Sequence, residues 1–364
     1  MNNIIEKFFA LIRYSIHSEQ EMPVIYQEDW VNIYSITAHQ AVLGVIFDAI
    51  QRDTEKQWNI PRDILLKWIL AKEQIEHQNI LLNNRCLELI ELLKKDGFQC
   101  CILKGQGNAL MYPNPYSRMP GDIDAWVRSH RDRRCHTEDV IQYTKKQGAK
   151  AEARVYHVEY DWKGVPVELH YMPGIMNNPM YNHRLQQWYN NKADEGFTVA
   201  ELPDGVGKIP VPTLEFNIVF QLAHMMHHFF DEGIGLRQMI DYYYLLQNAK
   251  DDVRSKTEDV RETLKYLNIY DFAGAVMYIM KEVLGLEEKY LIVPVDERRG
   301  KTLLKEILKG GNFGKYSGLT KHSIGTKFFL KIWRNLHFVR EYPAEALCEP
   351  FFRTWHFFWR MRHK

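Results

Sequence analysis

The chain has few cysteines, and they follow no ligand spacing. Cys86, Cys100, Cys101, Cys135 and Cys348 are an odd set of 5 with no Cys-x-x-Cys pair. That argues against a structural zinc site and a disulfide framework, and it suits a reducing compartment. Long apolar runs are missing as well: none approaches the ~20 residues needed to span a bilayer. Net charge is almost absent. Lys+Arg 47 against Asp+Glu 46 leave +1, so no overall field recruits nucleic acid and a polymerase-like role is disfavoured. Met1 to Arg13 is amphipathic, contains Glu6 and Lys7 and has no small-residue cleavage site, so no secretory signal is expected and the expected location is cytoplasmic. No internal repeat or low-complexity linker appears. With 364 residues, 46% of them hydrophobic, the chain can build a substantial core and two or three domains.

What is present concentrates between Leu103 and Val127. A glycine-rich bend, Lys104-Gly105-Gln106-Gly107, ends an apolar run. Asp122 and Asp124 then follow at strand spacing among apolar residues. Side chains two apart on a strand share a face. Two carboxylates side by side repel, and each costs free energy to bury. A cation ligated by both relieves that repulsion, and Mg2+ prefers such oxygens together with those of a substrate phosphate. Downstream, Val165-Pro-Val-Glu-Leu-His-Tyr171 places Glu168 in another strand-like run. Three acidic groups on neighbouring strands can hold two ions that clamp the attacking and leaving oxygens of a phosphoryl displacement. His170 is expected on the opposite face from Glu168, as a packing residue.

A glycine bend, an apolar-flanked Asp-x-Asp and a distant apolar-flanked acid together resemble the nucleotidyltransferase superfamily typified by DNA polymerase β. Leu103-Lys-Gly, Tyr112-Pro113, Arg118, the Asp-Ile-Asp and Gly233-Ile-Gly-Leu-Arg-Gln-Met-Ile-Asp241 look more closely like a bacterial nucleotidyltransferase family, largely uncharacterised. The resemblance implies an α+β fold: a small mixed-sheet palm over residues 98–212, between helical regions 1–97 and 213–364. It implies transfer of a nucleoside monophosphate from an NTP to a small-molecule, sugar or protein acceptor, with Mg2+ or Mn2+ as cofactor. Asp122, Asp124 and Glu168 would be catalytic metal ligands, and Lys104, Gly105 and Gly107 would seat phosphates. Where the superfamily usually has Gly-Ser or Gly-Gly, this bend has no serine, leaving backbone amides and Lys104 to hold the anion. A nucleotide-binding or regulatory module without turnover is the alternative that this departure supports.

Hydrophobic spacing predicts helices through Trp30–Ile50 and Ile64–Leu93, with Pro61 in a first turn and Gly97 as the stop. Strands are expected at 98–103, 121–127, 149–155, 157–162 and 165–171, with a helix from Arg134 to Gln147 closed by Gly148. A hairpin around Asp204-Gly205 follows. Thr213 is expected to cap a helix, and further helices continue through 237–247, 260–267, 272–284, 298–308 and beyond Ile324. The segment from Gly310-Gly311 to Gly318 reads as a loop.

Three further groups invite a role. His224, His227, His228 and Asp231 lie on one helix face. They suit an inter-helix hydrogen-bond network, a share of the substrate pocket, or a zinc or iron site that would make the chain a metal-dependent hydrolase. Arg237 and Asp241 can pair across one turn, with Arg237 reaching a phosphate, while Arg118 either pins its proline-rich loop or touches a triphosphate. The terminal Phe351–Lys364 mixes aromatic and basic residues. It is expected to dock its aromatic face on the core, with peripheral membrane contact as the alternative.

Overall fold

The computed structural model describes residues 3–17, 19–52, 58–129, 137–147, 151–249, 256–316 and 324–363, apart from the side chains of 324, 325 and 327. Four helices form the N-terminal region: α1 (Asn3–Ile16), α2 (Trp30–His39), α3 (Leu43–Arg52) and α4 (Arg62–Lys95). The expected run from Trp30 to Ile50 divides because Ala41 adopts φ 56°, a left-handed conformation that a right-handed helix cannot continue through. Pro61 sits just ahead of α4 rather than inside its first turn, and Gly97 at φ 86° ends it. The first half of α4 buries Ile64, Trp68 and Ile75 in the main core. Its second half lays Leu82, Cys86, Leu89 and Leu93 under the sheet.

That sheet contains β1 (Phe98–Ile102), β2 (Ile123–Ser129), β3 (Glu152–Ala153), β4 (His157–Trp162) and β5 (Val165–His170), in the order β1-β2-β5-β4-β3. The β2–β5 pair is parallel and the other three are antiparallel, so the sheet is mixed and the fold is α+β. A short helix α5 (Gln106–Ala109) follows β1, and α6 (Thr137–Lys146) follows β2. Alternation divides the faces. Ile123, Ala125, Val127, Val158, Tyr160, Val167 and Leu169 pack with α4 and α6 in one apolar cluster. The intervening residues Asp124, Trp126, Glu168, His170, His157 and Glu159 face the other way. Of the expected strand over 149–155, residues 149 and 150 lie outside the described residues, and within 151–155 only β3 forms, pairing through two residues. Cys135, Gly148, Gly318 and the expected helix start at Arg134 lie outside the described residues.

Sequence spacing gave no element for α7 (Pro179–Lys192), which buries only Leu185 and Tyr189. Its signal is a cap instead: the Asn178 side chain accepts from the amides of Met180 and Tyr181, with Pro179 at the first helical position. The hairpin β6 (Phe197–Glu201) and β7 (Lys208–Pro212) packs beside β1. Then come α8 (Leu214–Asp231), α9 (Leu236–Asn248), α10 (Thr257–Tyr266), α11 (Tyr270–Tyr278), α12 (Glu297–Gly310), α13 (Ile324–Leu336) and α14 (Pro343–Arg362). Apolar faces of α1–α4 and α8–α12 merge into one core that also takes Leu103, Trp126, Leu185 and Tyr189. Helices α8 and α14 of the C-terminal region stand over the polar side of the sheet.

The terminal helix corrects the expected aromatic docking. α14 buries Glu345, Ala346 and Glu349, while Phe351 is 78% exposed and Trp355, Phe357 and Phe358 also face outward. Glu345 is the anchor: its carboxylate accepts from the backbone amides of Asn177 (2.7 Å) and Asn178 (3.1 Å). Burial raises this carboxyl from 4.5 to about 7, against the two amide bonds that favour its charge. Because the folded value lies above the unfolded one, its contribution is complete below pH ~4.5 and is lost as pH rises through 7. The difference corresponds to about 3 kcal/mol. Urea unfolding of wild type and Glu345→Gln at pH 5 and pH 8 should show a steeper loss in wild type; parallel curves would refute this.

Candidate active site

The polar face of the sheet brings the three predicted acids together. Asp124 on β2 is the register partner of Glu168 on β5, and Asp122 immediately precedes β2. One carboxylate oxygen from each lies within 4.8 Å of the others. Strand β2 starts two residues later than expected, so Asp122 projects from the strand entrance. The Asp124 side chain is fully buried, and its Oδ2 has no hydrogen-bond partner.

Two cationic side chains face this cluster. Lys104 Nζ sits 3.1 Å from Asp124 Oδ1 and donates to His224 Nε2 at 3.1 Å. Burial opposes the lysine charge, but Asp124, Asp122 and Glu168 outweigh it and raise the Lys104 pKa. His224 is held neutral, well below its ordinary value, by burial and by the Lys104 charge. The expectation for His170 is overturned. Glu168 and His170 are two apart on a strand and share a face. His170 Nε2 lies 3.0 Å from Asp124 Oδ1 and 3.1 Å from Glu168 Oε2. Burial opposes its charge, but the hydrogen bonds to the two carboxylates prevail and raise His170 to about 9, so its Nε2–H donates. The cross-strand partner His157 is neutral, its pKa lowered by burial and then by His170 and Arg154.

The histidine helix builds no metal site of its own. Among the described residues, the groups able to hold an ion are the three acids and a His157–Glu168–His170 set. His224 is engaged by Lys104, and the His224 and His228 rings stack edge to face at 4.3 Å. Asp231 is taken by Lys331 (3.1 Å) and Arg353 (2.9 Å). Those cations overcome its burial and depress its pKa.

The arginines divide their roles differently from expectation. Asp241 pairs with Arg118, not Arg237: Arg118 Nε and Nη2 each donate to it at 2.8 Å, and Tyr112 Oη adds a bond of 2.6 Å. Of the two readings for Arg118, the geometry supports pinning its loop. Asn79 of α4 grips the same loop, donating to the carbonyls of Tyr116 (3.1 Å) and Arg118 (2.9 Å). This clamp delivers Asp122 to the site. Arg237 donates through Nη1 to Met119 O at 3.2 Å and lies over the Phe313 ring, while its buried Nε has no partner. A side chain at Gly121 would come within 3.5 Å of the Arg237 guanidinium, so Arg237 stands beside Asp122. Gly105 needs glycine for its φ of 62°. At Gly107 a Cβ would crowd Val211 Cγ1 at 3.1 Å.

These groups open into a cavity of about 420 Å³. Lys104, Asp122, His157, Glu159 and Glu168 form its floor; His227 and His228 of α8 with Glu232 just after it form one wall, and Glu349, Phe352, Arg353 and His356 of α14 another. Two carboxylates, Glu159 and Glu168, are register partners on that floor. Burial and then the Glu168 charge raise Glu159 above its ordinary value.

Residues 26–285 match the model of a family described as "Uncharacterised nucleotidyltransferase". The chain belongs to that family. Among solved structures, an antigenic nucleotidyltransferase-like protein from Paracoccidioides brasiliensis is similar at 14% identity, over 51% of this chain and 92% of that one, with a TM-score of 0.33. A comparison with curated proteins gives no match. A nucleotidyltransferase implies a divalent ion, and the residues present fit one: three carboxylate oxygens converge, and one buried oxygen, Asp124 Oδ2, has no hydrogen bond to lose.

Sequence reading of this family member missed His157, the acid-facing side of His170 and the wall supplied by α14. The first two carried a signal. His157-Val-Glu159 and Glu168-Leu-His170 each put two polar side chains at period two in strands whose other positions are apolar. The α14 wall carried none, because only the tertiary fold brings residues 349–356 over the sheet.

Proposed function

We propose that the chain transfers a nucleoside monophosphate from an NTP to an acceptor hydroxyl or phosphate, with release of pyrophosphate. The convergence of Asp122, Asp124 and Glu168, with Asp122 and Glu168 lining the cavity and Asp124 buried behind them, is the observation that carries this reading. Those three carboxylates would hold Mg2+ or Mn2+. When bound, such an ion neutralises charge developing on the phosphates. Lys104 and the Gly105–Gly107 bend would seat the triphosphate, with Arg237 binding it from the side of Asp122. Glu168 would take the acceptor proton. The α14 wall and Glu159 would shape the acceptor half, where mixed charge suits a polar acceptor. Catalysis of this kind rests on positioning and charge neutralisation.

Label transfer tests the reading. Each α-32P NTP is incubated with the full chain, Mg2+ and cell lysate, beside an Asp122→Ala, Asp124→Ala variant. Label incorporated by wild type alone supports transfer; equal incorporation refutes it. Binding of NTP without pyrophosphate would identify a module that has lost turnover, a second reading favoured by Lys104 already lying against Asp124.

Arg237 gives a narrower expectation. A hydrogen bond to a charged group contributes roughly 1.5–3 kcal/mol, so Arg237→Met should raise KM for NTP by about 10-fold or more with little change in kcat. Unchanged KM in steady-state pyrophosphate release would remove Arg237 from the phosphate site.

A further inference from the structure

Beside the three acids stands a second ligand set of different chemistry. His157 on β4 and His170 on β5 are register partners, and Glu168 lies two residues before His170. His157 Nδ1 is 3.6 Å and His170 Nε2 is 3.1 Å from the same oxygen, Glu168 Oε2, and one ligand atom from each of the three residues lies within 4.8 Å of the others. His157 is 4% exposed, and its Nδ1 is buried and aimed at Glu168 with no hydrogen-bond partner. An ion at about 2.0–2.2 Å from each atom would space tetrahedral ligands roughly 3.3 Å apart. Both histidine-to-glutamate distances, 3.6 and 3.1 Å, thus lie within a few tenths of an ångström of that spacing.

We infer that His157, His170 and Glu168 form a binding site for a borderline first-row divalent ion such as Zn2+, distinct from the oxygen-only site of Asp122, Asp124 and Glu168. Imidazole nitrogens suit zinc and its neighbours, whereas Mg2+ takes oxygen and sheds water reluctantly. Two histidines and one glutamate leave coordination positions open, as in catalytic zinc sites, and His157 and Glu168 border the cavity through which an ion and a further ligand enter. An ion there displaces the Nε2 proton of His170 to solvent. Glu168 has two oxygens, so the sites share that one carboxylate and their occupancies are coupled. The site stands independently of nucleotidyl transfer, since its ligands bind whether or not turnover occurs.

Direct metal binding tests it. The full chain is stripped with chelator and titrated with Zn2+ in excess Mg2+, with Co2+ as an optical probe, for wild type, His157→Ala and Asp122→Asn. Expected is one Zn2+ that Mg2+ does not displace. His157→Ala should weaken it by more than the roughly 10–100-fold typical of losing an outer-shell partner, and Asp122→Asn should retain it. Zinc held no more tightly than Mg2+, or equally by wild type and His157→Ala, overturns the site. Loss in Asp122→Asn as large as in His157→Ala also overturns it, since the ion would then sit among the acids. Should His157→Ala fail to fold, X-ray absorption of zinc-loaded wild type decides: two imidazole ligands are expected, and an all-oxygen shell refutes the inference.

Discussion

Asp122→Asn should lower nucleotidyl transfer by roughly 10³-fold, with unfolding stability changed by less than about 0.5 kcal/mol. The two halves of this expectation have separate causes. Asp122 is only partly buried, precedes β2 and makes no ion pair or side-chain hydrogen bond among the described residues. Its replacement by an isosteric amide therefore breaks no structural contact. Its oxygen does converge with those of Asp124 and Glu168. An ion held by all three would supply several kcal/mol of transition-state stabilisation, and about 4 kcal/mol corresponds to that factor. Pyrophosphate release and urea unfolding, measured on the same preparation, check both halves. Activity within 10-fold of wild type would exclude Asp122 as a ligand for the catalytic ion.

Asp241→Ala should do the reverse, acting first on stability. The Arg118–Asp241 pair is buried, bidentate and reinforced by Tyr112. Burial opposes the Asp241 charge, and Arg118 overcomes that to lower its pKa. Removing the carboxylate leaves the buried guanidinium without its counter-charge, at a cost of about 3–5 kcal/mol. A paired replacement, Arg118→Met with Asp241→Leu, should recover much of that loss, since no charge is then left uncompensated. The loop that Arg118 anchors runs directly into Asp122, so the single variant should also raise the metal concentration needed for activity. A double-mutant cycle by urea unfolding measures the coupling. Coupling below about 0.5 kcal/mol would mean that the loop is held by Asn79 and packing instead.

Much of this architecture was legible in the residues. Period-two alternation around Asp124 and Glu168 placed the carboxylates on strands, and the glycine at 105 marked a bend that needs φ of 62°. The bipartite helical pattern of residues 62–95 read correctly as helix because its apolar spacing persists while the partner changes from core to sheet. α7 escaped notice because two buried residues in fourteen leave no periodic signal. Asp241 was assigned to Arg237 on helical spacing, yet a residue 123 positions away holds it; spacing reports local neighbours only. His170 was misplaced by neglecting the same alternation that located Glu168. The tail's aromatic richness suggested docking, but buried Glu345, accepting from the amides of Asn177 and Asn178, holds α14 in place.

The most direct measurement is NTP binding by calorimetry with and without Mg2+, on wild type and on Glu168→Gln. Tight binding that requires Mg2+ and is lost in the variant is the expected result. Equal affinity in the presence of chelator, or in Glu168→Gln, would contradict a triphosphate held through an ion on these three carboxylates.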